Sequence, residues 1–220
     1  MSDARFPFSA TDDILEKYDA FIFDLDGTLY DAKHFKSRVM IQRIIKHSPA
    51  EFPRILAEQY ARKTMRGRYF ESPDALKQER TRLLRSRARF ASDKAALEWY
   101  ESFVLFTAQI LSRFYNARPN IKPLLRALKQ NKKKIAVFSD YPFVNERLAA
   151  IGLEEETKDG TIDTPVSAEE LGGLKPAKEP FLKIARLLSC PPDRILLTGD
   201  REDTDGKGAL LSGMHFAKIP

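Results

Sequence analysis

Cysteine is almost missing from this 220-residue chain: Cys190 is the only one. One thiol excludes an internal disulfide and a cysteine-rich zinc site. Histidine is nearly as scarce. His34, His47 and His215 stand far apart, without the spacing of a metal-ligand set. Any metal is therefore expected to be a hard, oxygen-bound ion. Long apolar runs are missing too. No stretch reaches the roughly eighteen apolar residues that cross a bilayer, so no membrane partner is expected. Phe6 to Ala10 is too short for the core of a secretory signal, and Asp3 stands where such a signal is basic. These shortages point to a reducing, cytoplasmic setting. What remains is 43% hydrophobic and 31% charged, which suits a packed core and excludes a disordered tail. The length allows one large domain, or a core plus an insertion.

Charge is unevenly placed. Residues 33 to 119 hold 19 Lys/Arg against 8 Asp/Glu, a net of +11, and the rest of the chain carries −5. A basic middle inside an acidic frame suggests an inserted module. Solvated helix faces explain such a charge about as well as an anionic partner does.

The elements follow the same division. Residues 1 to 17 read as a lead-in, with Asp12 as the cap of a short helix. Ala20-Phe21-Ile22-Phe23 reads as a buried strand ending at Asp24. From Phe35 to about Ala117 the apolar spacing is helical, in four segments. The last starts after Ser92, an N-cap candidate, and carries Trp99, Phe103, Phe106, Ile110 and Phe114 as bundle core. Beyond Pro119, helix and strand alternate. A helix opens at Pro123. Further strands are expected at Ile135–Phe138, Thr161–Val166, Ile195–Leu197 and His215–Ile219, and further helices at Phe143–Ile151, Ala177–Ser189 and Thr204–Ser212. Short apolar strands separated by helices make an α/β fold, a Rossmann-like, doubly wound parallel sheet covered on both faces. Residues 1–33 and 119–220 form its core and 34–118 an inserted helical cap.

Acidic and hydroxyl groups sit at the strand ends: Asp24 after the first, Ser139 and Asp140 after the second, Gly199-Asp200 after the fourth. Ligands of an open parallel sheet bind outside the carboxyl ends of its strands. The topology thus gathers Asp24, Asp26 and Asp200 at one rim. Unpaired, three such acids repel one another. A bound Mg²⁺ removes that repulsion.

Four segments, in order, resemble the motifs of the haloacid dehalogenase superfamily. Phe23-Asp24-Leu25-Asp26-Gly27-Thr28-Leu29-Tyr30-Asp31 is similar to the first. Phe138-Ser139-Asp140 resembles the second, Gly172-Gly173-Leu174-Lys175-Pro176 the third, and Gly199-Asp200-Arg201-Glu202-Asp203-Thr204-Asp205 the fourth. The first is highly specific and the middle two are weak alone. The resemblance implies a nucleophile, Asp24, and a general acid–base, Asp26. It implies Mg²⁺ held by Asp24, the main-chain carbonyl of Asp26, and Asp200. Ser139 and Lys175 would hold the phosphoryl oxygens. Thr28 would orient Asp26 or help bind the phosphoryl group. Asp205 would support the metal or Lys175, with Asp203 as its rival for that place. Arg201 departs from the family's usual small residue.

Asp26 favours phosphoryl transfer over carbon–halogen cleavage, because a halide leaves unprotonated and an alcohol does not. The expected activity is a Mg²⁺-dependent phosphatase of a small anionic phosphorylated metabolite, acting through an aspartyl-phosphate. The alternatives are a phosphomutase and a non-catalytic regulatory or nucleic-acid-binding module. Nucleic acid is the less favoured partner, since no aromatic interleaving accompanies the basic residues. Within the cap, Arg66 and Arg68 are candidates for reading the substrate. So is the series Arg80, Arg82, Arg85, Arg87 and Arg89, in which Arg82, Arg85 and Arg89 would share a helix face.

Overall fold

Five apolar runs become strands β1 (Ala20–Asp24), β2 (Lys134–Ser139), β3 (Thr164–Ser167), β4 (Ile195–Gly199) and β5 (His215–Lys218). The computed structural model describes residues 10–219, so residues 6–9 of the segment compared with a secretory signal lie outside it. All strand pairings are parallel, in the order β3-β2-β1-β4-β5. The register sets Asp24 beside Phe138, and Phe23 beside Thr198. The carboxyl ends of β1, β2 and β4 therefore meet at the middle of one sheet edge.

The helices are α1 (Asp12–Lys17), α2 (Phe35–Lys46), α3 (Glu51–Met65), α4 (Pro73–Arg87), α5 (Asp93–Phe114), α6 (Ile121–Gln130), α7 (Val144–Ala150), α8 (Glu154–Lys158), α9 (Lys178–Leu187) and α10 (Lys207–Leu211). Alternation along each strand divides its side chains between two cores. Ile22, Phe138 and Leu197 face Phe181 and Ile184 of α9. Phe21, Phe23 and Val137 face Leu124, Leu125 and Leu128 of α6. Each such side chain, buried from water, contributes about 1.5–3 kcal/mol. The chain is thus an α/β protein with a doubly wound parallel sheet and a helical insertion, α2 to α5, between β1 and β2.

Val39, Ile55, Leu84, Trp99, Phe103, Phe106 and Ile110 tie the four inserted helices into a third core. Ser92 caps α5, its hydroxyl accepting the Ala95 N–H at 3.1 Å. The insertion also shares a core with the sheet. Ala61, Met65, Leu76 and Leu83 pack in the same cluster as Leu171 and Leu174. Between α3 and α4 the chain runs antiparallel to residues 172–175. Tyr69 bridges Gly173, and the Phe70 N–H donates to the Gly172 carbonyl at 2.8 Å. Nothing in residues 66–70 reads as a strand, because this pairing depends on a partner a hundred residues away.

Several boundaries differ from the expectations above. Thr11, not Asp12, takes the N-cap position of α1, and Asp12 lies in its first turn. The helix α6 begins at Ile121, which leaves Pro123 in the first turn, where no intrahelical N–H is needed. The third strand starts at Thr164, since only Thr164 to Ser167 register with β2. A π-helical turn, Glu202–Gly206, precedes α10. The short helix α8 was not anticipated. None of the helices is long and apolar enough to cross a membrane, among the described residues.

Candidate active site

The first turn after β1 depends on glycine. Gly27 has φ +87°, and a Cβ there would lie 2.4 Å from Asp200 Oδ2. The turn therefore brings the β1 and β4 loops together. Arg118 secures it from behind, donating to the carbonyls of Gly27 and Thr28 at 2.9 Å each.

Asp24 is buried, and both its oxygens are engaged. Lys175 Nζ donates to Oδ1 at 2.7 Å, and the Thr28 hydroxyl donates to Oδ2 at 3.0 Å. Thr28 therefore orients Asp24, while Tyr30 does for Asp26 what Thr28 was a candidate to do. The Tyr30 hydroxyl donates to Asp26 Oδ1 at 2.5 Å. Arg147 of α7 donates to the same oxygen at 2.5 Å and, through Nη1, to Ser139 Oγ at 2.8 Å.

Lys175 sits among acids. Its Nζ also donates to Asp205 Oδ1 at 2.8 Å and to the Phe138 carbonyl at 2.7 Å, and its N–H donates to Asp140 Oδ1 at 3.0 Å. Between Asp203 and Asp205, the buried Asp205 is the one in the site. Asp203 is exposed and pairs with Arg201 at 2.6 Å and Arg66 at 2.9 Å.

Asp24, Asp26, Lys175, Asp200 and Asp205 line one cavity of about 500 Å³. Thr28 and Ser139 are fully buried and do not line it. Positive charge is in short supply at its acidic end. Burial, with the nearby Asp205 and Asp26 charges, pushes the Asp24 carboxyl well up despite Lys175. Burial and Asp205 likewise raise Asp200. Burial opposes the Lys175 charge, yet Asp205, Asp24 and Asp140 hold it far above an ordinary lysine. Asp26 goes the other way. Burial would raise it, but the charge and hydrogen bond of Arg147, with Tyr30, hold it below the usual carboxylate range.

Oxygens of Asp24, Asp200 and Asp205 lie within 4.8 Å of one another, and Asp200 Oδ1 is buried without a hydrogen-bond partner. Clustered carboxylates with an orphaned oxygen fit a hard divalent cation. The donor set therefore suits Mg²⁺.

Sequence reasoning missed Tyr30, Arg118, Arg147 and Arg62, and placed Asp140 at a strand end without giving it a role. Arg62, on α3, donates to the Asp140 carbonyl at 3.3 Å and to Glu169 at 3.1 Å. None of the five carries a spacing signal, apart from Tyr30 and Asp140 lying inside motif segments. The basic residues of the insertion are mostly paired. Arg68 and Arg82 bind Glu79, Arg80 binds the buried Glu169, and Arg85 binds Asp93. Arg87 lies over the Tyr60 ring. Arg89 falls beyond the end of α4, so Arg82, Arg85 and Arg89 do not share a helix face. Of Arg66 and Arg68, only Arg66 lines the cavity.

The haloacid dehalogenase-like hydrolase family model matches residues 18–213. A protein of Caldanaerobacter subterraneus subsp. tengcongensis bearing the name pyrophosphatase PpaX is 27% identical over 184 residues, covering 84% of this chain and 74% of that protein. Among solved structures, CbbY of Rhodobacter sphaeroides in complex with phosphate is 18% identical with a TM-score of 0.62, covering 90% of this chain and 84% of its own. The HAD-hydrolase YfnB of Bacillus subtilis, bound to magnesium, is also 18% identical with a TM-score of 0.62, covering 92% and 88%.

Proposed function

This chain belongs to the haloacid dehalogenase-like hydrolase family, and we propose that it is a phosphatase that cleaves a small phosphorylated metabolite through a phosphorylated Asp24. The observation that carries this reading is Asp26. A second carboxylate lines the cavity beside the buried Asp24, held in place by Tyr30 and Arg147. Loss of an alcohol from phosphorus needs such a group, and loss of a halide does not. Phosphate and magnesium in the structures of CbbY and YfnB, and the name of PpaX, agree with this chemistry.

Asp24 forms a bond to phosphorus as the ester P–O bond breaks. Asp26 gives its proton to the departing alcohol oxygen. It then takes a proton from a water that attacks phosphorus, which releases inorganic phosphate and restores Asp24. Arg147 and Tyr30 keep Asp26 ionised at rest, the form needed for the second step. A phosphoryl dianion beside it favours the protonated form needed for the first. Lys175 lines the cavity and brings its charge to the phosphoryl oxygens. Ser139, buried behind the cavity, instead accepts from Arg147 and so holds the group that holds Asp26, and Thr28 holds Asp24 in line. Asp205 and Asp140 fix Lys175.

Asp24, Asp200 and the main-chain carbonyl of Asp26 would hold Mg²⁺. When bound, the ion offsets the carboxylate and phosphate charges, so that an anionic nucleophile can approach. Residues 34–118 act as the cap over this site, and 1–33 with 119–220 as the catalytic core.

The test is phosphate release from a panel of phosphomonoesters, with and without Mg²⁺, by wild type, Asp24→Asn and Asp26→Asn. Release that needs the metal and is lost in both variants supports the reading. Full activity of Asp24→Asn overturns the covalent route. Transfer of the phosphoryl group to a second sugar hydroxyl, with no free phosphate, identifies a mutase instead.

A further inference from the structure

Calling the site a phosphatase leaves the alcohol half of the substrate undefined. A second cavity, of about 360 Å³, lies between the helical insertion and the segment of Tyr141 and Arg147 that follows β2. Phe35, Lys36, Arg62, Arg66 and Tyr141 wall both this space and the one that holds Asp24 and Asp26. An ester bound at Asp24 can therefore extend into it.

The inner wall is apolar: Val39, Ile55 and Phe103 belong to the buried core of the insertion. The polar groups nearest that wall are engaged already, while the exposed Gln59 lies toward solvent. Glu58 accepts from Arg62 at 2.9 Å, and the Thr107 hydroxyl donates to the Val104 carbonyl at 2.6 Å. Arg62 is further tied to Glu169, and Arg66 to Asp203. Among the described residues, Arg147 Nε is the only buried side-chain polar atom of this lining without a partner. A polyhydroxylated alcohol needs a partner for each hydroxyl that leaves water. The inner wall of Val39, Ile55 and Phe103 supplies none, whereas an apolar group gains by filling it. Two exposed lysines also line it, Lys36 and Lys63, neither in an ion pair among the described residues. They suit attraction of the phosphate dianion.

Resting on the phosphatase reading above, we propose that the substrate is a phosphate monoester of an alcohol with an apolar body, of aromatic-ring or branched-alkyl size. The body sits against Val39, Ile55 and Phe103.

The experiment compares kcat/KM for 2-phenylethyl phosphate and glycerol 1-phosphate. Both are esters of primary alcohols, so their intrinsic reactivities are alike. Wild type should favour the phenylethyl ester by about tenfold or more. Val39→Phe, which fills the cavity, should reduce that ratio about tenfold. Equal rates, or preference for the glycerol ester, overturn the substrate class and leave the phosphatase reading standing.

A binding measurement needs neither turnover nor the variant. Trp99 is the only tryptophan and stacks on Phe103 with ring centroids 5.3 Å apart. Its fluorescence should respond saturably to 3-phenylpropylphosphonate, a non-hydrolysable analogue, and far less to methylphosphonate. If neither ester is hydrolysed but this response appears, the phosphatase reading fails and the apolar occupant stands. If the two phosphonates behave alike, the apolar occupant is excluded even where phosphatase activity is present. Should Val39→Phe not fold, the wild-type ratio and this titration decide.

Discussion

Arg147 Nη2 donates to Asp26 Oδ1 at 2.5 Å across 121 residues of sequence, while Nη1 of the same guanidinium donates to Ser139. One buried cation thus fixes groups from the ends of two different strands. Its role is positioning. Its fork geometry allows both bonds at once, which a lysine ammonium at the same place does not reproduce.

Replacing Arg147 by Lys should therefore lower kcat by about 10–100-fold, part of the 10²–10⁴-fold that general acid–base catalysis contributes. The loss should be larger for alkyl than for aryl phosphates, because an aryl oxygen needs less help from a proton donor. Steady-state kinetics on one ester of each kind measures this. Equal losses on both esters would mean that Arg147 only supports the fold.

Lys175 is nearly fully buried between Asp24 and Asp205, at 2.7 and 2.8 Å. Lys175→Met leaves two buried carboxylates facing each other without a cation. Removing one partner of a buried ion pair costs about 3–5 kcal/mol. The metal-free variant should melt well below wild type, and saturating Mg²⁺ should recover part of the difference. A metal-free melting temperature equal to wild type would contradict the charge balance described here.

Glu51 gives a pH test away from the site. Burial would raise its carboxyl, but hydrogen bonds from Arg43 at 2.7 Å, Trp99 at 2.9 Å and Arg54 at 3.0 Å hold it below the ordinary glutamate value of 4.5. A depressed folded value means that the unfolded chain takes up the proton first. The stabilisation is then complete above the unfolded value and is lost as pH falls through the folded one. Between about pH 6 and pH 3, wild-type stability should fall more steeply than that of Glu51→Gln. Parallel denaturation curves for the two across that range would refute this assignment.

Glu169 lies in the loop after β3 and receives three groups from the insertion: Arg62 at 3.1 Å, Arg80 at 2.6 Å and Tyr100 at 2.5 Å. Glu169→Ala leaves two largely buried guanidinium groups short of a carboxylate. The expected cost is again about 3–5 kcal/mol. Hydrogen exchange should speed up at Phe70 and Leu174, whose amides join the insertion to the Lys175 loop. Unchanged exchange there would show that the apolar contacts of Met65 and Leu174 hold the joint alone.

The sheet was legible in the sequence, because short apolar runs that end in Asp or Ser and alternate with helices read as buried parallel strands with their acids at one rim. Asp24, Asp26 and Asp200 were legible as site candidates because strand ends in this topology converge wherever they lie in the chain, whereas Lys175, beyond the end of β3, was named only by the resemblance of its segment to a family motif. The four inserted helices were legible for a similar reason: their apolar spacing and the Ser92 cap are local signals. Tertiary structure alone decided the partners. That Arg147 serves Asp26, and that Asp205 rather than Asp203 meets Lys175, depends on ångström-scale geometry between segments far apart in sequence, and that Thr28 serves Asp24 rather than Asp26 depends on the path of the turn between them. The charge of the insertion shows the same limit. A count of +11 cannot tell an arginine that meets a substrate from one neutralised by Glu79, Asp93 or Glu169. An ion pair is a property of two positions in space, and composition records only that both charges exist.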